Sequence, residues 1–267
     1  MAKQEPYPST LTDKEWRLIE PWLRPASKLG RPPRYSRRLM LDAILYVVRS
    51  GCTWRMLPHE FPHWRLVYYY FARWQQEGRW ECLQRVLVEK VRVQHGEKKA
   101  PTAAIIDSQS VKMAGQPGER GFDAGKKIMG RKRHLLVDTL GLILGVVVHP
   151  ASVQDRDGAK LLQPFLLLYG WLKTVFVDGG YAGQLAQWMA ELPRHRHLQM
   201  QVVKRPQEAK GFILLPKRWV VERTFAWLGN FRRLAKDYEV KTAHSEAVIY
   251  VCSAHLLARR LARAKLP

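Results

Sequence analysis

The sequence of 267 residues carries 45 lysines and arginines against 23 aspartates and glutamates, a formal net charge of +22 at pH 7. So large a positive charge predicts a polyanionic partner. Short histone-like or ribosomal-type proteins share such a charge, but 46% hydrophobic residues and ten tryptophans allow this chain a sizeable core. At roughly 150 residues per domain, the length predicts two domains.

Composition also argues against several other classes of protein. The first residues, MAKQEPYPST, lack the apolar stretch of a signal peptide, and the most apolar windows meet polar residues too early to span a bilayer. We therefore expect a cytoplasmic, nucleoid-associated protein with no membrane partner. Cys52, Cys82 and Cys252 are far apart and form no CxxC pair, so neither a disulfide framework nor a zinc site is expected.

The first hundred residues have the pattern of short helices. Thr12 and Glu15 fit a capping box at the start of the first one. Four helices are expected: over 13–23, from Ser36 to Gly51, over 64–76 and over 80–93. A helix-turn-helix DNA-binding domain has this pattern, and so does any other small helical bundle.

A polar stretch with a proline, GEKKAPT at 96–102, predicts a domain boundary. We expect a helical, DNA-binding domain over 1–98 and a second domain over 99–267. The strands expected in the second domain span 103–107, 133–139, 142–149, 174–177 and 199–204. The first three are expected to form an antiparallel meander, and a helix is expected to begin near Asp155 or Asp157. The pattern predicts an α/β fold.

Two of the apolar strands end in an acid. Asp107 follows the run 103–106, and Asp178 follows the run 174–177. In open α/β sheets ligands bind beyond the carboxyl ends of the strands, so the two carboxylates are expected to converge. A strand-end aspartate also commonly caps the next turn, and for either residue alone both interpretations stay open.

A third candidate, Glu222, lies at the edge of an apolar helical stripe in KRWVVERTFAWL, 217–228. Arg218 stands one turn earlier, so an i,i+4 ion pair is the alternative interpretation. Two aspartates and a glutamate supply hard oxygen ligands for two Mg²⁺ ions roughly 3.5 to 4 Å apart, with Mn²⁺ as a substitute. The other acids considered are assigned to turn or helix capping: Asp138, Asp155 and Asp157.

Basic residues cluster in the same part of the chain. Because these runs are so one-signed, we expect them to contact DNA phosphates, the alternative being a solvated face. The candidates are Lys126, Lys127, Arg131, Lys132, Arg133, Lys204, Arg205, Lys217, Arg218 and Arg223. His195 and His197 alternate with arginine, which repels a cation, so a solvated or phosphate-facing loop is expected there.

In five stretches, taken in order, the chain resembles the insertion-sequence DDE transposases of the family-5 group. They are DSQSVK (107–112), GFDAGKKIMGRKRHLLVDTLGLIL (121–144), HPASVQDRDGA (149–159), DGGYAG (178–183) and LPKRWVVERTFAWLGNFRRLAKDYE (215–239). GCTWRMLP (51–58) resembles the helical domain of the same group. The resemblance implies a ribonuclease H-like mixed sheet flanked by helices, with Asp107, Asp178 and Glu222 as the catalytic triad and metal ligands.

One part of the family pattern is missing. Related transposases carry Tyr seven residues before the glutamate, Arg four before and Lys seven after; here Arg218 matches, but the outer positions are Leu215 and Gly229. The DNA-end contacts of that Tyr and Lys are therefore not carried over. Lys217, Arg232 and Arg233 are the candidate substitutes.

The resemblance implies a transposase that binds the terminal inverted repeats of a bacterial insertion sequence. It implies metal-dependent cleavage and transfer of strands of double-stranded DNA, element ends and target, by a homodimer or higher assembly. No covalent protein intermediate is expected, so Ser108 and Ser110 are not nucleophiles. Two alternatives stay open: a purely hydrolytic metal nuclease, and a catalytically inactive DNA-binding repressor derived from a transposase.

Overall fold

The computed structural model describes residues 6–24, 33–193, 197–203 and 217–263. Within them the helices are α1 (Asp13–Leu23), α2 (Arg37–Ser50), α3 (Trp64–Gln76), α4 (Arg79–Gln94), α5 (Asp155–Lys160), α6 (Gln163–Leu168), α7 (Gln184–Ala190), α8 (Trp219–Gly229) and α9 (Thr242–Arg263). The strands are β1 (Ala103–Lys112), β2 (Gly121–Asp123), β3 (Ile128–Asp138), β4 (Ile143–Pro150), β5 (Thr174–Val177) and β6 (Gln199–Val202). No helix in these ranges combines the length and the apolar character needed to cross a membrane.

The predicted signals at the helix ends are confirmed. The Thr12 hydroxyl accepts from the Glu15 N–H, and the Glu15 carboxylate accepts from the Thr12 N–H, which closes the capping box at α1. Ser36 caps α2 through the N–H of Leu39, and Gly51 ends that helix with a φ of +76°. A Cβ at Gly51 would also meet the Arg232 Cβ at 2.8 Å, so both conformation and space require glycine here.

The sheet is mixed, as predicted for a ribonuclease H-like fold. β1 pairs antiparallel with β3, and β3 pairs antiparallel with β4, which confirms the meander. The short β2 pairs with the start of β3. On the other side of β1, β5 and then β6 pair in parallel, so β1 is central. The helices α4 and α9 pack on β4, and α8 packs on β1.

Two strand boundaries were predicted wrongly: β3 begins at Ile128, not at Arg133, and β1 ends later than predicted. β1 does not end at Asp107 but continues to Lys112, paired with β3 throughout. Its pairing with β5 stops earlier, after Ile105. Asp107 therefore lies within β1, just past the point where the parallel neighbour ends.

The last helix, α9, joins the two halves of the chain. It packs against α1, α2 and α4 from the amino-terminal part and against β4 of the sheet. Arg92 of α4 forms a buried ion pair with Asp138, whose other oxygen accepts from the N–H groups of Leu140 and Leu142. That carboxylate is the predicted turn cap and also a link between the helices and the sheet. The division into 1–98 and 99–267 stays a prediction.

A second group of buried residues consists of four charged side chains and one serine. We call it the buried ion cluster: Arg131, Arg233, Asp237, Glu239 and Ser245. Arg131 is fully buried and donates to the Asp237 carboxylate at 3.2 Å and to the Ser245 hydroxyl at 3.0 Å. Arg233 donates to the Glu239 carboxylate at 2.7 Å. The cluster ties β3 to the segment between α8 and α9.

Candidate active site

The sheet brings Asp107 and Asp178 together. In the parallel pair, Ile105 of β1 stands opposite Phe176 of β5, and continuing that register by two residues sets Asp107 opposite Asp178. Neighbouring strands lie about 4.8 Å apart. One Asp107 oxygen accepts from the Ser108 N–H at 2.7 Å and one Asp178 oxygen accepts from the Gly180 N–H at 2.8 Å. Asp178 thus also caps the turn that follows it, which was its alternative interpretation, whereas Asp107 lies within β1 and has no turn to cap.

Arg218 links Glu222 to the edge of the sheet where Asp178 lies. A single guanidinium nitrogen of Arg218 lies 3.5 Å from an Asp178 oxygen and 3.7 Å from a Glu222 oxygen. The i,i+4 ion pair is therefore present, but the same arginine also bridges to the strand acid. We call Asp107, Asp178 and Glu222 the carboxylate edge.

The groups around Asp107 act on its pKa in opposite directions. Burial raises the pKa of the Asp107 carboxyl to about 6, and the neighbouring Asp178 acts in the same direction. The Ser108 N–H, the Arg218 guanidinium and the Lys126 ammonium all act to lower this pKa. Lys126 also donates to the Ser108 carbonyl at 3.3 Å, so a second cation stands beside this acid.

The carboxylate edge has the donor set for a hard divalent cation such as Mg²⁺ or Mn²⁺. As the side chains stand, no three His, Cys, Asp or Glu groups in the described part of the chain lie close enough to hold a metal ion together. The Arg218 guanidinium occupies the space between two of the acids. A cation bound by Asp178 and Glu222 together would replace it.

A polar network supports the residue that follows Asp107. The Ser108 hydroxyl donates to the Asp155 carboxylate at 2.9 Å, and the buried Lys132 ammonium lies 2.9 Å from the same carboxylate. Lys132 is also 3.6 Å from Asp123, which accepts from the Ser110 hydroxyl. Both serines are thus engaged with acids.

This network corrects the assignment of Asp155 as a helix cap. Asp155 is the first residue of α5, and the residue before it, Gln154, makes no side-chain cap. Although burial acts in the opposite direction, the Lys132 and Ser108 hydrogen bonds hold the pKa of Asp155 below its usual value. Asp157 on the same helix pairs only with Lys160, on the surface.

Two buried histidines, which the sequence interpretation missed, lie beside Asp155 of this network. His134 Nδ1 lies 2.8 Å from His149 Nε2, and the Tyr181 ring stands edge-on to His134. Burial lowers the pKa of His134 to about 3, helped by His149, so the imidazole is neutral. A Cβ on Gly158 would meet both rings at less than 3 Å, so α5 approaches them closely only because it has glycine there.

The structure corrects several predicted DNA contacts. Arg131, Lys132 and Arg133 are at most 5% exposed, because β3 is covered on both faces, and their cationic groups bind protein carboxylates and carbonyls. Arg223 lies between the rings of Trp219 and Trp227, at 4.3 and 4.5 Å, and donates to the Leu140 carbonyl.

The remaining basic candidates differ in their surroundings. Lys126, Lys127 and Lys217 are exposed on the surface, and Arg218 bridges the acids. Lys204, Arg205, His195 and the outer signature position Leu215 lie outside the described residues. Of the other candidate substitutes for the missing signature lysine, Arg232 is exposed, whereas Arg233 is buried in its pair with Glu239.

A ribonuclease H-like sheet with acids from two adjacent strands and a later helix at one edge defines a class of nucleic-acid enzymes. Within that class, the chain belongs to the family described as "Transposase DDE domain", whose model matches residues 98–257. A second family model, "Putative transposase of IS4/5 family", matches residues 11–84.

Individual proteins are similar over parts of the chain. The "Putative transposase for insertion sequence element IS402" of Burkholderia cepacia is 32% identical over 143 residues, 51% of this chain and 64% of that protein. The "Insertion element IS402 uncharacterized 16.2 kDa protein" of the same organism is 33% identical over 116 residues, 39% of this chain and 74% of that protein.

A third relative matches only a short part. "Uncharacterized protein y4sN" of Sinorhizobium fredii is 38% identical over 68 residues, 26% of this chain and about half (54%) of that protein. A solved structure, the "Crystal structure of the Mos1 mariner paired end complex with Mn", aligns with 89% of this chain and 80% of that chain at 13% identity. Its TM-score of 0.28 is too low to establish a common fold.

Proposed function

We propose that this chain is an active insertion-sequence transposase that binds the terminal inverted repeats of its element and cleaves and transfers DNA strands. The observation that carries the proposal is the carboxylate edge, where acids from β1, the end of β5 and α8 converge around Arg218. Family membership supports the same reaction class.

In this proposal, Asp107, Asp178 and Glu222 hold two divalent cations, Mg²⁺ with Mn²⁺ as a substitute. Such ions, when bound, activate the attacking oxygen and stabilise the leaving oxygen of an in-line phosphoryl transfer. The protein itself supplies the positions of the three acids. Exposed Lys126, Lys127 and Lys217 beside them bind phosphates of the DNA backbone.

No protein nucleophile is needed for this reaction. The Ser108 hydroxyl is engaged as a donor to Asp155, and the Ser110 hydroxyl as a donor to Asp123. A water molecule attacks first, and the freed 3′-hydroxyl of the element end then attacks the target. We further propose that two element ends are paired by a homodimer or higher assembly, in the cytoplasm on the nucleoid.

The proposal is tested with the purified protein and a DNA that carries the inverted repeats flanking its own gene. Nicks and joined products are mapped with Mg²⁺ or Mn²⁺ for the wild type and for Asp107→Asn, Asp178→Asn and Glu222→Gln. Asp157→Asn, which removes an exposed acid on α5, is the matched control. We expect metal-dependent cleavage and joining, reduced at least about 1,000-fold in the three variants and unchanged in the control.

Three other outcomes would overturn the proposal in different ways. Cleavage without joining indicates a hydrolytic nuclease. Tight binding of the repeats with no cleavage by the wild type indicates a repressor. Full cleavage by a folded Asp107→Asn, Asp178→Asn or Glu222→Gln variant removes the carboxylate edge from the chemistry.

A further inference from the structure

A cavity of about 480 Å³ opens between the amino-terminal helices and the segment that follows α8. Four aromatic residues line it, together with a buried ion pair: Trp54, Trp64, Tyr68, Tyr238, Arg233 and Glu239. We call it the aromatic groove. Two of the stretches noted in the sequence meet at this groove, GCTWRMLP and the end of the stretch that contains Glu222. Neither of these parts contributes a residue to the carboxylate edge.

The rim of the groove is cationic. Arg55 and Arg65 are exposed, and each guanidinium lies 5.5 Å from the centre of the Trp64 ring. Arginines stacked in this way keep their N–H groups free for phosphate oxygens while they hold the ring in position. In a chain of net charge +22, this rim favours a polyanion as the ligand.

The inner part of the groove offers hydrogen bonds as well as rings. The Arg233 guanidinium lies 5.1 Å from the Tyr238 ring and 5.9 Å from the Trp54 ring, fixed by its bonds to Glu239 and to the Cys52 carbonyl. Trp54 is 9% exposed, and its indole N–H has no hydrogen-bond partner among the described residues. A buried donor without a partner calls for an acceptor from a ligand.

We propose that the aromatic groove binds an unstacked nucleobase of the DNA that the protein holds, an inference that rests on the proposed function. Aromatic faces stack on any base, and rim arginines reach the phosphates on either side of it. The edge of a base carries acceptors for an indole N–H and donors for a carboxylate, which matches Trp54 and Glu239. The cavity has the volume that a nucleoside requires.

The position of the groove agrees with DNA that runs from the carboxylate edge. Met113, at the far end of β1, forms a bridge with Asp237, next to the residues of the groove. Six residues of extended strand separate Met113 from Asp107, roughly 20 Å at about 3.3 Å per residue. A DNA strand advances about 3.4 Å per nucleotide, so the base in the groove lies roughly six nucleotides from the bond that is cut.

Binding of single strands with and without bases tests this inference in the absence of metal. Fluorescein-labelled (dT)12 and a 12-mer of abasic sites carry the same charge, and their dissociation constants are measured by anisotropy with the full chain. We expect (dT)12 to bind about 10-fold more tightly, because stacking contributes about 1 to 3 kcal/mol per base. Trp64→Ala should abolish the preference, Trp64→Phe should retain it, and Trp171→Ala, at an exposed tryptophan outside the groove, should leave it unchanged.

A crosslinking measurement on the wild type is independent of how the variants fold. A (dT)12 with one 5-iodouracil is irradiated in the complex, and the crosslinked peptide is expected to contain Trp64 or Tyr238. Equal binding of the two oligonucleotides, or crosslinks confined to other peptides, would overturn the nucleobase site. If cleavage of element ends persists in that case, only the groove inference fails; if the protein binds neither oligonucleotide and cuts no DNA, the proposed function fails as well.

Discussion

The protein contains two groups of acids around arginine that differ in how far their side chains are exposed to solvent. At the carboxylate edge, Arg218 lies 3.5 and 3.7 Å from Asp178 and Glu222, whose side chains are 28% and 51% exposed. In the buried ion cluster, Arg131 and Asp237 are 0% and 1% exposed and both make further short hydrogen bonds. The same chemical groups therefore occur in an open and a closed arrangement.

This difference in exposure suits the buried ion cluster to stabilising the fold and the carboxylate edge to binding a ligand. Paired charges that are desolvated and hydrogen-bonded hold elements in register, and removing one partner leaves the other uncompensated. Carboxylates with long contacts and exposed oxygens keep lone pairs free for a cation or a phosphate-bearing substrate. Substitutions in the buried ion cluster should therefore change the free energy of unfolding, and substitutions at the carboxylate edge should change metal binding.

The largest effect on stability is expected from Arg131→Met in the buried ion cluster. The variant leaves Asp237 buried without its cation, and the carbonyls of Glu239 and Val240 lose their donor. We expect the free energy of unfolding to fall by about 3 to 5 kcal/mol, measured by urea denaturation. Arg73→Ala, which breaks an exposed pair with Glu77, is the control and should cost less than about 1 kcal/mol. If the two variants lost similar amounts of unfolding free energy, the buried ion cluster would be no more stabilising than an exposed ion pair.

Asp155→Asn tests an acid whose exposure, 33%, lies between that of the buried ion cluster and that of Glu222. Asparagine still accepts from the Ser108 hydroxyl, but the buried Lys132 loses its closer counter-charge and keeps only Asp123. A loss of about 2 kcal/mol in chemical denaturation is expected, smaller than for a fully buried pair. Asp157→Asn, two residues along the same helix, should change stability by less than about 0.5 kcal/mol. Equal values for the two positions would mean that the network gives no stability.

Glu246→Gln extends the comparison to an acid that forms no ion pair with any described residue. Burial raises the pKa of Glu246 to about 7, with Glu81 acting in the same direction against the hydrogen bond from the Val148 N–H. As the pH rises from about 4.5 to 7, the unfolded chain releases this proton while the folded protein keeps it, so stability falls. Above pH 7 both states are ionised and the loss is constant.

The glutamine variant removes that loss and keeps an acceptor for Val148. The difference in unfolding free energy between variant and wild type should therefore grow from near zero at pH 4.5 to about 3 kcal/mol in favour of the variant at pH 8. Denaturation curves at several pH values measure it. A difference that does not vary with pH would show that Glu246 ionises normally.

The smallest effect is expected at the open group, where Arg218→Ala removes the cation between Asp178 and Glu222. Because a divalent metal no longer has to displace a positive charge, Mn²⁺ should bind about fivefold more tightly without DNA, or about 1 kcal/mol. Calorimetric titration measures this, with Arg73→Ala as the control. Weaker Mn²⁺ binding by the variant would argue that Arg218 organises the acids instead of competing with the metal.

The three acids of the carboxylate edge have local signals in the sequence, and their catalytic role stays a prediction. An apolar run followed by an acid marks Asp107 and Asp178, and the acid at the edge of a helical stripe marks Glu222. The sheet register then brings the two aspartates together, as the shared edge of parallel strands requires.

The burial of the basic residues could not be predicted in this way. GRKRH has the composition of an exposed basic loop, yet Arg131 and Arg133 lie inside, because their acceptors come from residues about one hundred positions later, such as Leu234 and Glu239. The extension of β1 was missed for a related reason. Its polar residues Ser108 and Ser110 are buried only because Asp155 and Asp123 reach them from other elements.

The packing of α9 on α1, α2 and α4 determines when the protein is able to fold during synthesis. The first four helices leave the ribosome with the surface that α9 later covers still open to water. At about 5 to 20 residues per second, roughly 10 to 30 s pass between α4 and the end of α9. A nascent or shortened chain that lacks its last helix therefore exposes apolar surface, which makes it a substrate for chaperones and proteases.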